Sequence, residues 1–219
     1  MRRLILVAIG AIGLSLFSIP SFAQEVVYPK AEVFGGFSIS STPVVSFDPT
    51  TFLPTSARNS FMGWQASGNY NLTHHLAIVG DFGGQYKSVT SVAAHQYQFL
   101  FGPRIVFRGS RVTPFVHALF GEMRSPVAVI PSTTVLGITT PGATVSGSGF
   151  GMGLGGGLDI NVSDRLALRV PQFDWMLMHV SSGTVTIPGV GSVTVPGVGG
   201  WATSEVRIGI GLVIKAGGK

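Results

Sequence analysis

The sequence contains no cysteine. A disulfide framework is therefore excluded, and so is a metal site built on thiolates. Charge is nearly as scarce. Asp, Glu, Lys and Arg make up 11% of the 219 residues, less than half the ~25% usual in soluble domains. Beyond the N-terminal segment no run reaches ~18 uninterrupted apolar residues, so nothing else there spans a membrane as a helix. What the chain does have is 45% hydrophobic residues and 31 glycines. That mixture fits neither a disordered chain nor an ordinary soluble enzyme. The length suits one domain built around a long sheet.

The first residues read as a targeting signal. Arg2 and Arg3 form a basic start, Leu4 to Phe17 an apolar stretch, and Ser21-Phe22-Ala23 a small-x-small cleavage site. Cleavage is expected after Ala23, giving a signal peptide over 1–23 and a single domain over 24–219. Without Arg2 and Arg3 the 14 basic residues fall to 12, against 9 acidic, a net +3. The remaining cations are scattered, so the chain carries no nucleic-acid footprint.

After the signal the hydrophobic period is two. Between Phe61 and Leu72, Met62, Trp64, Ala66, Gly68, Tyr70 and Leu72 alternate with Gly63, Gln65, Ser67, Asn69 and Asn71. A strand separates these faces, whereas a helix would mix them. The same alternation runs from Thr203 to Ile214, and from Gly149 to Asp159, where glycines occupy every second place. Eight strands are predicted: 31–41, 61–72, 76–86, 95–108, 112–124, 147–162, 166–179 and 202–215.

Their connections alternate in length. Residues 73–75, 109–111 and 163–165 are tight turns, and 42–60, 87–94, 125–146 and 180–201 are long. Short turns at one end and long loops at the other mark an outer-membrane barrel. Strands of 10–14 residues cross a bilayer when tilted, and closure pairs every backbone group. The fold class expected is therefore all-β, an eight-stranded antiparallel transmembrane β-barrel with an apolar outer face and a polar interior. Two long loops, 125–146 and 180–201, carry no charge. The second holds Val185-Thr186-Ile187-Pro188-Gly189-Val190-Gly191, then Val193-Thr194-Val195-Pro196-Gly197-Val198-Gly199, which reads as a hairpin. These loops are either β-extensions above the membrane or flexible low-complexity segments.

Four stretches carry a family resemblance. Phe99-Leu100-Phe101-Gly102-Pro103-Arg104, Thr113 to Gly121, Gly155-Gly156-Gly157-Leu158-Asp159-Ile160 and Leu168 to Trp175 resemble the small outer-membrane β-barrel domain family. These are single-domain relatives of the barrel of outer-membrane protein A. The resemblance covers nearly the whole mature chain and is specific for the fold. It implies residence in a Gram-negative outer membrane, with membrane lipid and the barrel insertion machinery as partners. The family's usual terminal aromatic is replaced by Gly211-Leu212-Val213-Ile214-Lys215 and a short tail. Larger relatives also carry a periplasmic peptidoglycan-binding domain, and no cell-wall attachment is expected by the resemblance here.

By strand phase Glu32, Asp81, Arg104, Arg108, His117, Asp159, Arg169, Glu205 and Arg207 point inward. Arg169 and Asp174 fall on opposite phases, so Pro171 is expected to mark a bulge that turns Gln172 and Asp174 inward as well. Buried charges need partners. A salt-bridged plug is the plain reading, and a gated ion path the sharper one, with the glycines of 149–157 leaving room for water. Trp64, Tyr70, Tyr86, Tyr97 and Trp175, with Phe107 and Phe120, are expected in interfacial girdles.

Other motifs are weaker. His179-Val180-Ser181 with Glu205 matches the base, nucleophile and acid of lipid A deacylases, but the phase puts His179 outside and Glu205 inside. His74-His75 reads as a solvated turn, since no third ligand is near in sequence. Gly155-Gly156-Gly157 precedes no helix, so it is no phosphate loop. No cofactor and no catalytic or metal residue is assigned. The leading functional expectation is a monomeric structural or surface-interaction protein that engages a ligand through 125–146 and 180–201. The alternatives are a narrow gated pore and a lipid A-modifying hydrolase.

Overall fold

The computed structural model describes residues 28–48, 51, 53–89, 92–130, 132–135, 138–187, 189–196 and 202–217. The expected signal segment lies outside the described residues. Eight long strands follow one another: β1 Ala31–Phe47, β2 Pro54–Asn71, β3 Leu76–Val89, β4 Val92–Val106, β5 Val112–Ile130, β8 Ala143–Asn161, β9 Leu166–Ile187 and β11 Ala202–Ala216. Three short strands complete the set: β6 Thr133–Val135, β7 Ile138–Thr140 and β10 Gly191–Pro196. The long strands pair antiparallel in the order β1-β2-β3-β4-β5-β8-β9-β11, and β11 returns to β1. The sheet therefore closes, which leaves no open edge within the bilayer.

Alternation decides which side each residue faces. Met62, Trp64, Tyr70 and Leu72 are exposed on the outer face, while Gln65, Ser67, Asn69 and Asn71 between them are buried. The same holds on β11, where Val206, Ile208, Ile210 and Leu212 face out and Glu205 and Arg207 face in. Ten residues of tilted strand rise about 25 Å, so the outward apolar face matches a bilayer. On β5 that face ends where Phe120 gives way to exposed Glu122 and Arg124.

One end of the barrel is built from tight turns. In the β2–β3 turn Thr73 Oγ1 accepts hydrogen bonds from the His75 and Leu76 amides at 3.2 and 2.9 Å. In the β8–β9 turn Ser163 Oγ accepts one from Leu166 N at 3.1 Å. Both hydroxyls replace the backbone acceptors that a turn loses. This is the periplasmic end for an outer-membrane barrel.

The other end departs from the expectation of four long loops. Strands β3 and β4 continue through Lys87 opposite Ala94 and Ser88 opposite Ala93 until Val89 pairs with Val92, so 87–94 is a tight hairpin held by its backbone ladder. Most of 42–60, 125–146 and 180–201 is strand as well. The hairpin read from the Val-Thr repeat is present: Val185 pairs with Val193 and Ile187 with Gly191.

The extensions then change partners. Above Ser41, β1 leaves β11, and Val45 pairs in parallel with Ala128 of β5. In the ring β1 and β5 stand on opposite walls, four strands apart either way. Their meeting draws the walls together over the mouth. A six-stranded sheet results, in the order β2-β1-β5-β8-β9-β10. Beneath it Val44, Phe61 and Ala94 form a small buried cluster, and Thr144 Oγ1 donates to the Ala93 carbonyl at 3.0 Å.

The interior is not uniformly polar, which corrects the simple inside-outside expectation. Val79, Leu100, Leu119, Met123, Met176, Met178 and Val180 form an apolar cluster within the barrel. In Phe99-Leu100-Phe101 and Trp175-Met176-Leu177-Met178 both faces are apolar, so no polarity contrast marks the inward residues.

Candidate functional sites: the charged interior and the outer sheet

The interior network is organised by a bulge on β9. Arg169 and Gln172 both pair across to β8 and β11, while Val170 and Pro171 together face single residues on each neighbour. The extra residue shifts the phase, so Arg169, Gln172 and Asp174 are all buried inside. The expected bulge is thus at Pro171, joined to Val170 by a cis peptide.

Asp174 is the hub. Arg207 on the adjacent β11 donates to Asp174 Oδ2 from Nε and Nη2 at 2.9 and 2.6 Å. The same Nη2 lies 2.8 Å from Asp81 Oδ1 on the far wall. Gln172 Nε2 donates to Asp174 Oδ2 at 2.8 Å, and Gln65 Nε2 to Asp81 Oδ2 at 2.7 Å. His117 Nε2 stands 2.7 Å from Asp174 Oδ1, and Arg104 Nη2 stands 3.3 Å from His117 Nδ1. A guanidinium has only donors, so Nδ1 accepts and the ring proton sits on Nε2, toward Asp174.

A second layer lies toward the turns. Arg169 holds Asp159 in a bidentate pair at 2.7 and 3.0 Å. Its guanidinium lies over Phe34 at 4.5 Å and over Phe115 at 4.4 Å, and Arg104 lies over Phe115 at 4.2 Å. The delocalised, weakly hydrated guanidinium tolerates such stacking where an ammonium would not. Glu32 takes Arg108 Nη1 at 2.8 Å and the amides of Asn69 and Asn71 at 3.3 and 3.2 Å. Toward the outer end Glu205 accepts a hydrogen bond from Gln96.

All nine charges expected inside therefore face the interior, and Arg104, Arg169 and Arg207 are among the largest fully buried side chains. Five acids face four arginines, so the charges nearly cancel within the wall. Sequence reasoning missed the two stacking rings, Phe34 and Phe115. Their signal was phase alone: Phe34 shares the inward face of Glu32, and Phe115 that of His117.

The outward aromatics divide by height. Tyr70 sits beside the β2–β3 turn. Trp64 Nε1 donates to Tyr86 OH at 3.4 Å, and the Tyr86 and Tyr97 rings meet edge to face at 6.1 Å in the outer half. Trp64, Tyr70, Tyr86 and Trp175 are exposed, whereas Tyr97 is half-buried by that stacking. His179 and Ser181 lie on the outer face, Ser181 as the unpaired residue of a register shift. Glu205 lies on the inner face, so the wall separates it from His179.

Among the described residues the outer sheet has two free edges. Pro54–Ser60 of β2 pairs only with β1, since the β3 register begins at Met62. β10 pairs only with β9. Along β9 and β10 hydroxyls match across the ladder, Thr184 with Thr194 at 2.9 Å and Thr186 with Ser192 at 3.0 Å. Val190 and Val193 project to solvent.

Comparison with known proteins agrees with this architecture. Neisserial surface protein A (NspA) superposes with a TM-score of 0.52 at 13% identity, over 85% of this chain and 97% of that one. Ail, the attachment invasion locus protein of Yersinia pestis, gives 0.44 at 11%, over 85% and 99%. The N-terminal β-barrel domain of Pseudomonas aeruginosa OprF gives 0.41 at 11%, over 84% and 98%. No curated protein sequence matches the chain. The model of the family described as "Outer membrane protein beta-barrel domain" matches residues 9–195. With that match and a closed, outwardly apolar ring of eight strands, the chain belongs to the outer membrane protein β-barrel domain family and is a protein of the outer membrane.

Proposed function

We propose that the protein is a non-conducting barrel that presents its outer sheet as a surface-interaction site for a partner protein. The observation that carries this reading is the pairing of β1 with β5. It joins opposite walls over the mouth and builds a six-stranded sheet whose two edges are free among the described residues. A free edge offers unpaired N–H and C=O groups to a strand from another chain. Edges that are meant to stay single are usually guarded by charge. Here the β10 edge has none, since 180–201 is uncharged, whereas the β2 edge carries Arg58, bonded to the Ser41 carbonyl and the Ser204 hydroxyl. Conduction is disfavoured, because an eight-strand barrel is only wide enough for its side chains, and here they are paired arginines and carboxylates. A lipid hydrolase is disfavoured because Glu205 and His179 lie on opposite sides of the wall.

The test compares cells displaying the wild-type chain with cells displaying Val193→Lys combined with Thr194→Pro, scored for adhesion to host cells and to one another. Heat-dependent gel mobility verifies that both barrels fold. At least a tenfold loss of adhesion is expected. Equal adhesion by a folded, displayed variant sinks the reading.

A further inference from the structure

The end of the barrel opposite the outer sheet has a different chemistry. A cavity of about 1160 Å³ opens between the periplasmic turns. Arg108, Arg165 and Lys215 line it, against a single acid on the lining, Asp164. Arg108 is deeply set, its side chain only 10% exposed. Its Nη1 is held by Glu32 at 2.8 Å, and its Nε donates to the His74 carbonyl at 3.1 Å. Among the described residues its Nη2 is buried with no partner, and His74 Nδ1, also on the cavity wall, is buried without one. Lys215 Nζ donates to Asn161 Oδ1 at 2.6 Å, which fixes the ammonium at the rim.

An arginine pinned at two of its nitrogens and free at the third is oriented before any ligand arrives. A water could accept from Nη2, but it would bring no negative charge to a concave site whose three cations face two carboxylates, Glu32 on Arg108 and Asp164 on the lining. A cationic ligand is repelled. A phosphate group presents several acceptor oxygens and carries one or two negative charges at neutral pH, which fits the free Arg108 Nη2 flanked by further cations. Desolvation, with the neighbouring His75 and Arg108, holds the His74 pKa below its usual value. Its imidazole is therefore neutral at pH 7 and can donate from Nδ1.

We propose that this periplasmic cavity binds a phosphate-bearing ligand, with Arg108 as its primary contact and Lys215, Arg165 and His74 around it. Two sources share that chemistry: a phospholipid headgroup of the inner leaflet, bent over the rim at Ala216 and Gly217, and a soluble phosphorylated compound of the periplasm.

The experiment is calorimetric titration of the folded full chain, in zwitterionic micelles, with inorganic phosphate and with sn-glycerol 3-phosphate. One saturable site is expected. Lys215→Gln should weaken it at least tenfold, and so should Arg108→Gln combined with Glu32→Gln, a pair that leaves no charge alone. Arg124→Gln, on the outer face, should leave it unchanged. Repeating the titration in nanodiscs separates the sources. Weaker phosphate binding in phosphatidylglycerol than in phosphatidylcholine assigns the lipid headgroup, and equal binding assigns the soluble compound. Absence of saturable binding by folded protein overturns the proposal, as does binding that survives both variants.

Discussion

Arg207 and Asp174 face one another in register on β11 and β9, and one guanidinium nitrogen of Arg207 also reaches Asp81 on the opposite wall. One side chain thus ties two sides of the barrel together across its interior. The network is a cross-brace as well as a filling.

Asp174→Asn should be strongly destabilising. It leaves Arg207 with Asp81 alone and takes the carboxylate from His117. Breaking a buried pair in this way costs about 3–5 kcal/mol. Urea titration of the refolded protein in vesicles measures it. Glu122→Gln, exposed on the outer face, should stay within about 0.5 kcal/mol. Equal stability of the two variants would remove the brace from the account.

The bulge makes a prediction that its conformation alone would not suggest. Deleting Pro171 removes the extra residue and leaves one residue between Arg169 and Gln172. Both then stay inward in a regular strand, with Val170 between them opposite Ile210 and Leu158. The deletion should therefore fold, with a loss of about 1–2 kcal/mol. An alanine inserted after Phe173 turns Asp174 toward lipid and should abolish the heat-modifiable band. The reverse pattern would mean that phase does not govern this strand.

Gly155 is required for closeness. A Cβ there would meet the Asp174 carboxylate and lie 2.7 Å from His117 Nε2, so the hub must shift to admit it. Gly155→Ala should cost about 1–3 kcal/mol in the same urea titration. Gly68, where a Cβ meets nothing within 4 Å, should accept alanine with little change. Tolerance at both positions would show a looser interior than these contacts imply.

In planar bilayers the folded, inserted protein is expected to be electrically silent. Discrete openings that change in Glu205→Ala would restore the pore reading and make the interior charges its gate.

Most of the barrel was legible because a period of two survives wherever the two faces differ in polarity. Met62 to Leu72 and Thr203 to Ile214 state their own orientation. The charge network was legible for the same reason, and Pro171 gave away the bulge by the conflict between Arg169 and Asp174. Legibility failed where both faces share a character. Leu100, Met176 and Met178 face inward among equally apolar neighbours. Lys87 to Val92 read as a loop because the period of two is lost there: Lys87 and Ser88 are consecutive polar residues, and so are Thr90 and Ser91. The partner exchange of β1 from β11 to β5 left no local trace, because register between strands about 80 residues apart is set by three-dimensional packing.

The claim on which the functional reading depends is the meeting of β1 and β5 above the mouth. The chain has no cysteine, so Val45→Cys with Ala128→Cys can be read without interference. Neighbouring strands stand about 4.8 Å apart, within disulfide reach. Mild oxidation of displayed protein should close this pair nearly completely, seen as a mobility shift on a non-reducing gel. Val45→Cys with Val193→Cys, four strands apart in the outer sheet, should stay open. Failure of the first pair to close, with both thiols still reactive toward a maleimide, would contradict the closed mouth and the sheet built on it.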